Sequence, residues 1–377
     1  PYRRQRQMCI RDSMRTKKIC FIAQFPPPIH GLSKAIDTLY NSTLSTKYCF
    51  SKVNITNNKY LLRNIYKIIF SHPDLFYFTI SQTKLGNWRD LLILQILKWK
   101  KDKCLIHLHG GYYRQLIDKD CGYIQRTINY SIIKNLCGCI VLSNSLHSIF
   151  EGMIDKNKIY TVSNGVDNQY LLPSNLLNEK QNDILKTKQL NILYLSNFIE
   201  TKGFKDVLQL ALLAKKNMEN RLHFHFAGRF FREEDELYTR TFIDNNNLQD
   251  YITFHGIVSG EKKKQILKEC HIFILPTRYP NEGQPISILE AMGNALAIIT
   301  TNHAGIPDIV RNNINGLIIN KNNINIQDIY QYILYLLKDR NTLKKIGTTN
   351  YQIITTQYTE LQYISNMDKV FQSVLKL

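Results

Sequence analysis

The sequence has no apolar run long enough to cross a bilayer. Its longest, Leu91–Leu97, is interrupted by Gln95 and falls far short of the ~20 residues a membrane helix needs. Its eight cysteines form no Cys-x-x-Cys pair, and Cys137-Gly138-Cys139 is too tightly spaced for half of a zinc site, so reduced thiols are expected. No Gly-x-Gly-x-x-Gly follows a strand, which excludes the dinucleotide fingerprint. Asp118-Lys119-Asp120 has the spacing of a metal-binding Asp-x-Asp but does not end an apolar strand. It reads as a solvated loop, and no metal ligand set is identified. Acidic residues are scarce: 30 Asp+Glu stand against 49 Lys+Arg, a net charge of +19. No nucleic-acid-binding module accompanies that charge, so nucleic acid is not the expected partner.

What is present points to a two-domain α/β protein. At 377 residues the chain exceeds one ordinary core. Apolar runs at Lys18–Ala23, Leu75–Ile80, Cys104–Leu108 and Cys139–Ser143 read as strands of a first unit. Leu190–Leu195, Arg221–Ala227, Ile252–His255, Ile272–Leu275, Ala297–Thr300 and Gly316–Ile319 read as parallel strands of a second. Residues 171–189, rich in Asn, Lys and Gln, read as the linker. The expected organisation is a non-native scar at 1–13 with Met14 as the start, a first domain at 14–170, the linker, a second domain at 190–357, and a returning helix at 358–377.

The most informative stretch is 281–294. Asn281-Glu282-Gly283 reads as a turn, and Pro285 suits the first position of a helix carrying Ile286, Ile288, Leu289 and Met292. A helix N-terminus at the end of a parallel strand suits an anion, because free N–H groups and the helix dipole both face it. Glu290 lies about five residues into that helix, roughly 7–8 Å along the axis from its start. That is about the separation of a diphosphate from the ribose of the same nucleotide, and a carboxylate there can accept from both ribose hydroxyls. Asp-x-Asp aside, a leaving diphosphate can be neutralised by a lysine and amides, so no metal is required.

Glu282-x7-Glu290, in its strand–loop–helix–strand setting, resembles the donor-site signature of the retaining glycosyltransferases of family four (group 1 glycosyltransferases). The resemblance implies the GT-B fold: α/β, two Rossmann-like doubly wound domains with an interdomain cleft. It implies that Glu290 holds the ribose, that Glu282 lies near the donor sugar, and that the turn Gly283-Gln284-Pro285-Ile286-Ser287 meets the diphosphate. Lys202-Gly203 match the family's Lys-Gly, while Ser196-Asn197 stand where it has Gly-Arg. Asn197 therefore lacks the charge and the bidentate reach of the guanidinium, and Arg229 or Arg278 are substitutes. Phe25–Gly31 resembles the loop that approaches the donor phosphates, with Gly31 allowing close backbone contact. His109 matches the family histidine that contacts the donor sugar better than His107 does. Gly305, in His303–Asp308, matches a turn whose amides face the donor, and Asn164–Asp167 resembles the turn closing the first domain.

The implied activity is transfer of a sugar from a UDP- or GDP-linked donor to a hydroxyl of a surface polysaccharide or lipid-linked glycan. Lys202, Glu282 and His109 would be catalytic, and the nucleotide-sugar is a co-substrate with no cofactor expected. A weakly catalytic nucleotide-sugar-binding scaffold of a membrane glycan-assembly complex is the alternative, and an epimerase on the same fold is less favoured. Of the net charge, +15 lies in residues 1–180 and +4 in the remainder. With aromatics beside cations in Tyr60–Phe70 and Trp88–Lys103, this suits an anionic membrane surface. The expected location is cytoplasmic, peripheral at the inner face of the membrane.

Overall fold

The structure is a computed structural model that describes residues 16–27 and 31–376; the expected scar at 1–13 and the loop residues 28–30 lie outside it. Two six-stranded sheets form the frame. The first comprises β1 (Lys18–Ala23), β2 (Cys49–Asn54), β3 (Leu75–Thr79), β4 (Cys104–His107), β5 (Gly138–Val141) and β6 (Ile159–Thr161), in the order β2-β1-β3-β4-β5-β6. The second comprises β7 (Leu190–Leu195), β8 (Leu222–Ala227), β9 (Ile252–Gly256), β10 (Ile272–Leu275), β11 (Ala297–Thr301) and β12 (Gly316–Ile319), in the order β12-β11-β10-β7-β8-β9. Every pairing is parallel. Parallel strands need helical crossovers, and helices on both faces bury the central strands completely. That is why β3, β4, β5, β10 and β11 are uninterrupted buried runs.

Backbone contacts divide the chain into two compact units. One holds the described residues up to Leu142, His147–Val162 and residues from Ile364 on; the other holds Ser143–Leu146 and Ser163–Tyr363. The last helix, Glu360–Lys376, thus gives most of its length to the first unit, where Phe371 packs on Phe21 and Tyr77. The segment expected to be a linker is instead largely helix, Ser174–Lys186, packed against the helix Arg340–Gln357 of the second unit. Its polar composition concealed this because two of its three buried residues are Lys180 and Gln181. The Lys180 ammonium donates to Leu267 O at 3.0 Å and so caps the end of the helix Gly260–Glu269.

Each sheet reverses its winding once. In the second, the chain runs β7, β8, β9 outward, then returns across to β10, β11, β12. The reversal lies between β7 and β10, where the loops leave in opposite directions and open a crevice at the carboxyl ends of the strands.

The second unit also buries histidines in their neutral form. His271, just before β10, accepts the Asn191 N–H on Nδ1 at 3.0 Å, and burial pushes it down to about 3, helped by the charges of Lys180 and Arg340. His225, hydrogen-bonded to His255 at 2.9 Å, is pushed by burial to about 4. These folded-state values lie below the unfolded value of about 6.5. The stability they contribute is therefore complete above pH 6.5 and is lost as pH falls toward 3–4. Thermal melts should be flat from pH 8 to 7 and fall steadily below about pH 6.5. The slope from His271 alone should approach about 1.4 kcal/mol per pH unit. His271→Gln should flatten that slope; an unchanged slope would rule out this residue as the source.

Candidate functional site

The loops after β7 and β10 flank the winding reversal, and they carry Lys202 and Glu282. The first loop ends in a short turn, Glu200–Lys202, closed by Gly203 at φ +83°. A side chain at Gly203 would meet Pro276 O at 2.6 Å, so only glycine lets the two loops touch here. Two further bonds tie them together: Arg278 N–H donates to Thr201 O, and the Arg278 guanidinium to Asp206, each at 2.7 Å. Arg278, considered as a substitute for the missing arginine, is thus committed to Asp206. Arg229 is exposed, with its guanidinium over the ring of Phe231, and Asn197 is exposed too.

This clamp brings Lys202 and Glu282 together. Lys202 Nζ lies 3.3 Å from Glu282 Oε2, which also accepts from Thr277 Oγ1 at 3.2 Å. The same ammonium sits 5.0 Å from the Tyr279 ring centroid. Tyr279 is held in turn by His303, whose Nε2 is 2.7 Å from Tyr279 O while Nδ1 is 3.1 Å from the Lys321 ammonium. An ammonium can only donate, so Nδ1 accepts and Nε2 carries the proton. Burial and the Lys321 charge both keep this ring neutral.

Beyond Glu282 the loop is anchored through Gln284. Its side-chain oxygen accepts the Asn164 N–H at 2.8 Å, and its main-chain oxygen accepts from Asn164 Nδ2 at 3.0 Å. The Asn164 turn and the Glu282 loop, far apart in sequence, are one piece of structure. Pro285 is the residue before the helix rather than its first, with ψ 117°, and the helix is only Ile286–Met292. The amides of Ile286 and Ser287 fall in its first turn, which has no internal acceptor for them. The N–H of Gly305 does not face outward: it donates to Gly283 O at 2.8 Å, so the His303–Asp308 turn braces the loop.

Glu290 is buried, and its partner was not anticipated. Lys263 Nζ lies 2.7 Å from Oε1 and 2.6 Å from Oε2, and 4.2 Å from the ring centroid of Tyr170. Lys263 is the middle of three consecutive lysines at the start of the helix Gly260–Glu269. Only helical phase and Tyr170 distinguish it from Lys262, which bonds His255 O, and Lys264, which pairs with Glu261.

In the first unit, His107 ends β4 wholly buried, with Nδ1 2.6 Å from Tyr77 Oη. His109, two residues on, lies against it with ring centroids 3.9 Å apart. Burial and the neighbouring His109 hold His107 far below the usual imidazole range, so it is neutral. Gly31 opens the helix Gly31–Tyr40. Asp118-Lys119-Asp120 is not a loop but part of a π-helical turn, Leu116–Asp120. Its carboxylates accept from Tyr130 Oη and Tyr112 Oη.

Residues 177–353 match the sequence pattern of the family described as glycosyl transferases group 1. An uncharacterized glycosyltransferase of Methanocaldococcus jannaschii is 24% identical over 330 residues, spanning 85% of this chain and 80% of that protein. A UDP-Gal:alpha-D-GlcNAc-diphosphoundecaprenol alpha-1,3-galactosyltransferase of Escherichia coli is 27% identical over 238 residues, spanning 59% of this chain and 57% of that protein. Among solved structures, Anabaena HepE in complex with UDP and glucose superposes with a TM-score of 0.72 over 95% of this chain and 100% of that one, at 13% identity. That likeness shows the fold, GT-B. Residues 177–353, which hold the paired carboxylates and the Lys-Gly turn at the winding reversal of the second sheet, thus carry the pattern of the group 1 glycosyltransferases.

Proposed function

We propose that this glycosyltransferase moves a sugar from a nucleotide diphosphate donor, UDP- or GDP-linked, to a hydroxyl of a lipid-linked or surface glycan, retaining the anomeric configuration. The observation that carries the reading is the Lys202–Glu282 pair fixed at the reversal between β7 and β10, with Glu290 in the helix that follows. In the reaction the bond from the anomeric carbon to the β-phosphate oxygen breaks, and negative charge develops on that oxygen. Lys202 and the amides of Ile286 and Ser287 stabilise it. Glu290 accepts from the ribose hydroxyls, and Glu282 and His109 orient the sugar. The acceptor oxygen forms the new bond on the same face, and its proton passes to the departing phosphate. Lys202 supplies the cation, so no metal is invoked. A lipid-diphosphate acceptor is supported by the name of the Escherichia coli relative, and it would place the enzyme at the inner face of a membrane.

The anomeric proton of the product, read by NMR, should keep the donor's configuration, and EDTA should leave kcat within about twofold, since Lys202 does the ion's electrostatic work. An inverted product, or turnover abolished by EDTA and restored by magnesium, would overturn those parts separately. The scaffold reading is favoured by one observation, the exposed Asn197 with Arg278 already committed to Asp206. It predicts nucleotide binding without turnover.

A further inference from the structure

Three helices of the first unit seat aliphatic residues such as Ile68, Leu94 and Ile133 in the core and still expose large apolar side chains on their outer faces. The helices Leu61–Phe70, Lys84–Trp99 and Tyr123–Ile133 link β2 to β3, β3 to β4 and β4 to β5. All three links run the same way across the sheet, so right-handed crossovers lay them on one face. They pack side by side, the first against the second and the second against the third. The seam between the second and third is polar. Asn87 donates to Asn129 Oδ1 at 3.0 Å, and Gln125 and Asn129 donate to Asn87 Oδ1 at 2.8 and 2.9 Å; all three residues are buried. In the first helix Asn64 is buried and donates to Asn54 O at 2.9 Å.

The outer faces are apolar. The first helix exposes Leu62, Tyr66, Ile69 and Phe70. The second exposes Leu85, Trp88, Leu92 and Trp99, spaced to form one stripe along the helix. The third adds Tyr123 and Ile124 at its start. Leu62 and Trp99 are 83% and 73% exposed, values far from those of a helix face that seals a core. Among these residues stand the exposed cations Arg63 and Lys67, Lys84 and Lys98, and Arg126, the last of them 3.9 Å from Asp118. The three helices contain one acidic residue, Asp90, which is buried and bonded to Arg89. A surface meant only for water would not carry two tryptophans and this many large aliphatic side chains.

We propose that this three-helix face docks on an anionic lipid bilayer surface, with its aromatic and aliphatic side chains in the interface and its cations on lipid phosphates. The charge chooses this occupant. A face with five exposed cations, of which Arg126 has a carboxylate beside it, keeps a net positive charge that would repel a second copy of itself, whereas tryptophan and tyrosine beside lysine and arginine match the headgroup level of a membrane. Among the described residues no helix is long and apolar enough to span, and the contact proposed is peripheral. The proposal deepens the membrane location given above and rests on it, but it is independent of the donor chemistry.

Flotation of the full chain with vesicles tests it. Vesicles of phosphatidylcholine with roughly one-quarter phosphatidylglycerol should bind the protein, and phosphatidylcholine alone should bind at least ~10-fold less. High salt should weaken the binding. Arg63→Glu with Lys67→Glu should lower it on the order of 20-fold. Trp88→Ser with Trp99→Ser should lower it about tenfold even at low salt. Both pairs are surface changes, and an unchanged UDP or GDP thermal shift certifies the fold. No binding by the wild type, binding unaffected by either pair, or concentration-dependent self-association lost in the variants would overturn the proposal. If vesicles bind but no nucleotide does, the transferase chemistry fails and this inference stands.

Discussion

Replacing Lys202 with alanine should lower kcat by about 10²–10³-fold, about 3–4 kcal/mol of barrier, while nucleotide affinity falls much less. The ammonium acts on a charge that is greatest when the bond to the diphosphate is breaking, so the loss should appear in turnover more than in binding. The substitution also strips the cation from the buried carboxylate of Glu282, which keeps the hydrogen bond from Thr277 Oγ1. Some loss of thermal stability is therefore expected, and it must be separated from the kinetic effect. Lys202→Arg does this, since it keeps the charge beside Glu282 and should recover stability and part of kcat. If both variants bind nucleotide as the wild type does and neither turns over less, Lys202 is a structural partner of Glu282 and the scaffold reading gains.

Glu290→Ala should have two large effects with different origins. Nucleotide binding should be lost, measured as the absence of a thermal shift with UDP, GDP, ADP or dTDP, because the ribose hydroxyls lose their acceptor. Stability should fall by roughly 3–5 kcal/mol, because truncating one member of a buried ion pair leaves the other charge uncompensated. Lys263 is that other charge, bonded to both carboxylate oxygens. The double change Glu290→Ala with Lys263→Met should restore most of the stability, since removing both charges can be nearly neutral. It should not restore nucleotide binding. A double variant that binds nucleotide as well as the wild type would show that the pair is a packing device and that the ribose is held elsewhere.

The buried centre of each sheet could be read in advance because parallel strands covered on both faces are continuous apolar runs. β7, β10 and β12 fall on the residues expected. The edge strands β2 and β6 were missed for the same reason: β2 is mostly exposed, so Cys49–Asn54 shows no apolar run to read. The helix Ser174–Lys186 was hidden because a lysine serves there as an interior cap. At the site, Lys202, Glu282 and Glu290 were found from spacing, since a strand end and a helix start are short-range features. Their distant partners were not: Lys263 and Tyr170 reach the site through the tertiary fold, and nothing local marks them. The segments Tyr60–Phe70 and Trp88–Lys103, read as amphipathic helices, overlap the helices Leu61–Phe70 and Lys84–Trp99. That reading could not give which face was inward, because that depends on buried asparagines whose partners lie on other elements.

The junction of Gly203 against Pro276, with Arg278 bonded to Thr201 and Asp206, has a calorimetric consequence. Two loops that would otherwise fluctuate separately are ordered when the chain folds, so the entropy of fixing them is spent before any donor arrives. Within this unit, nucleotide association should then be a single fast phase with only a small change in heat capacity. A bulkier residue at 203 would shift the ordering of both loops onto the binding step. The binding heat would become more favourable and the affinity weaker, a signature distinct from the loss of any contact with the ligand.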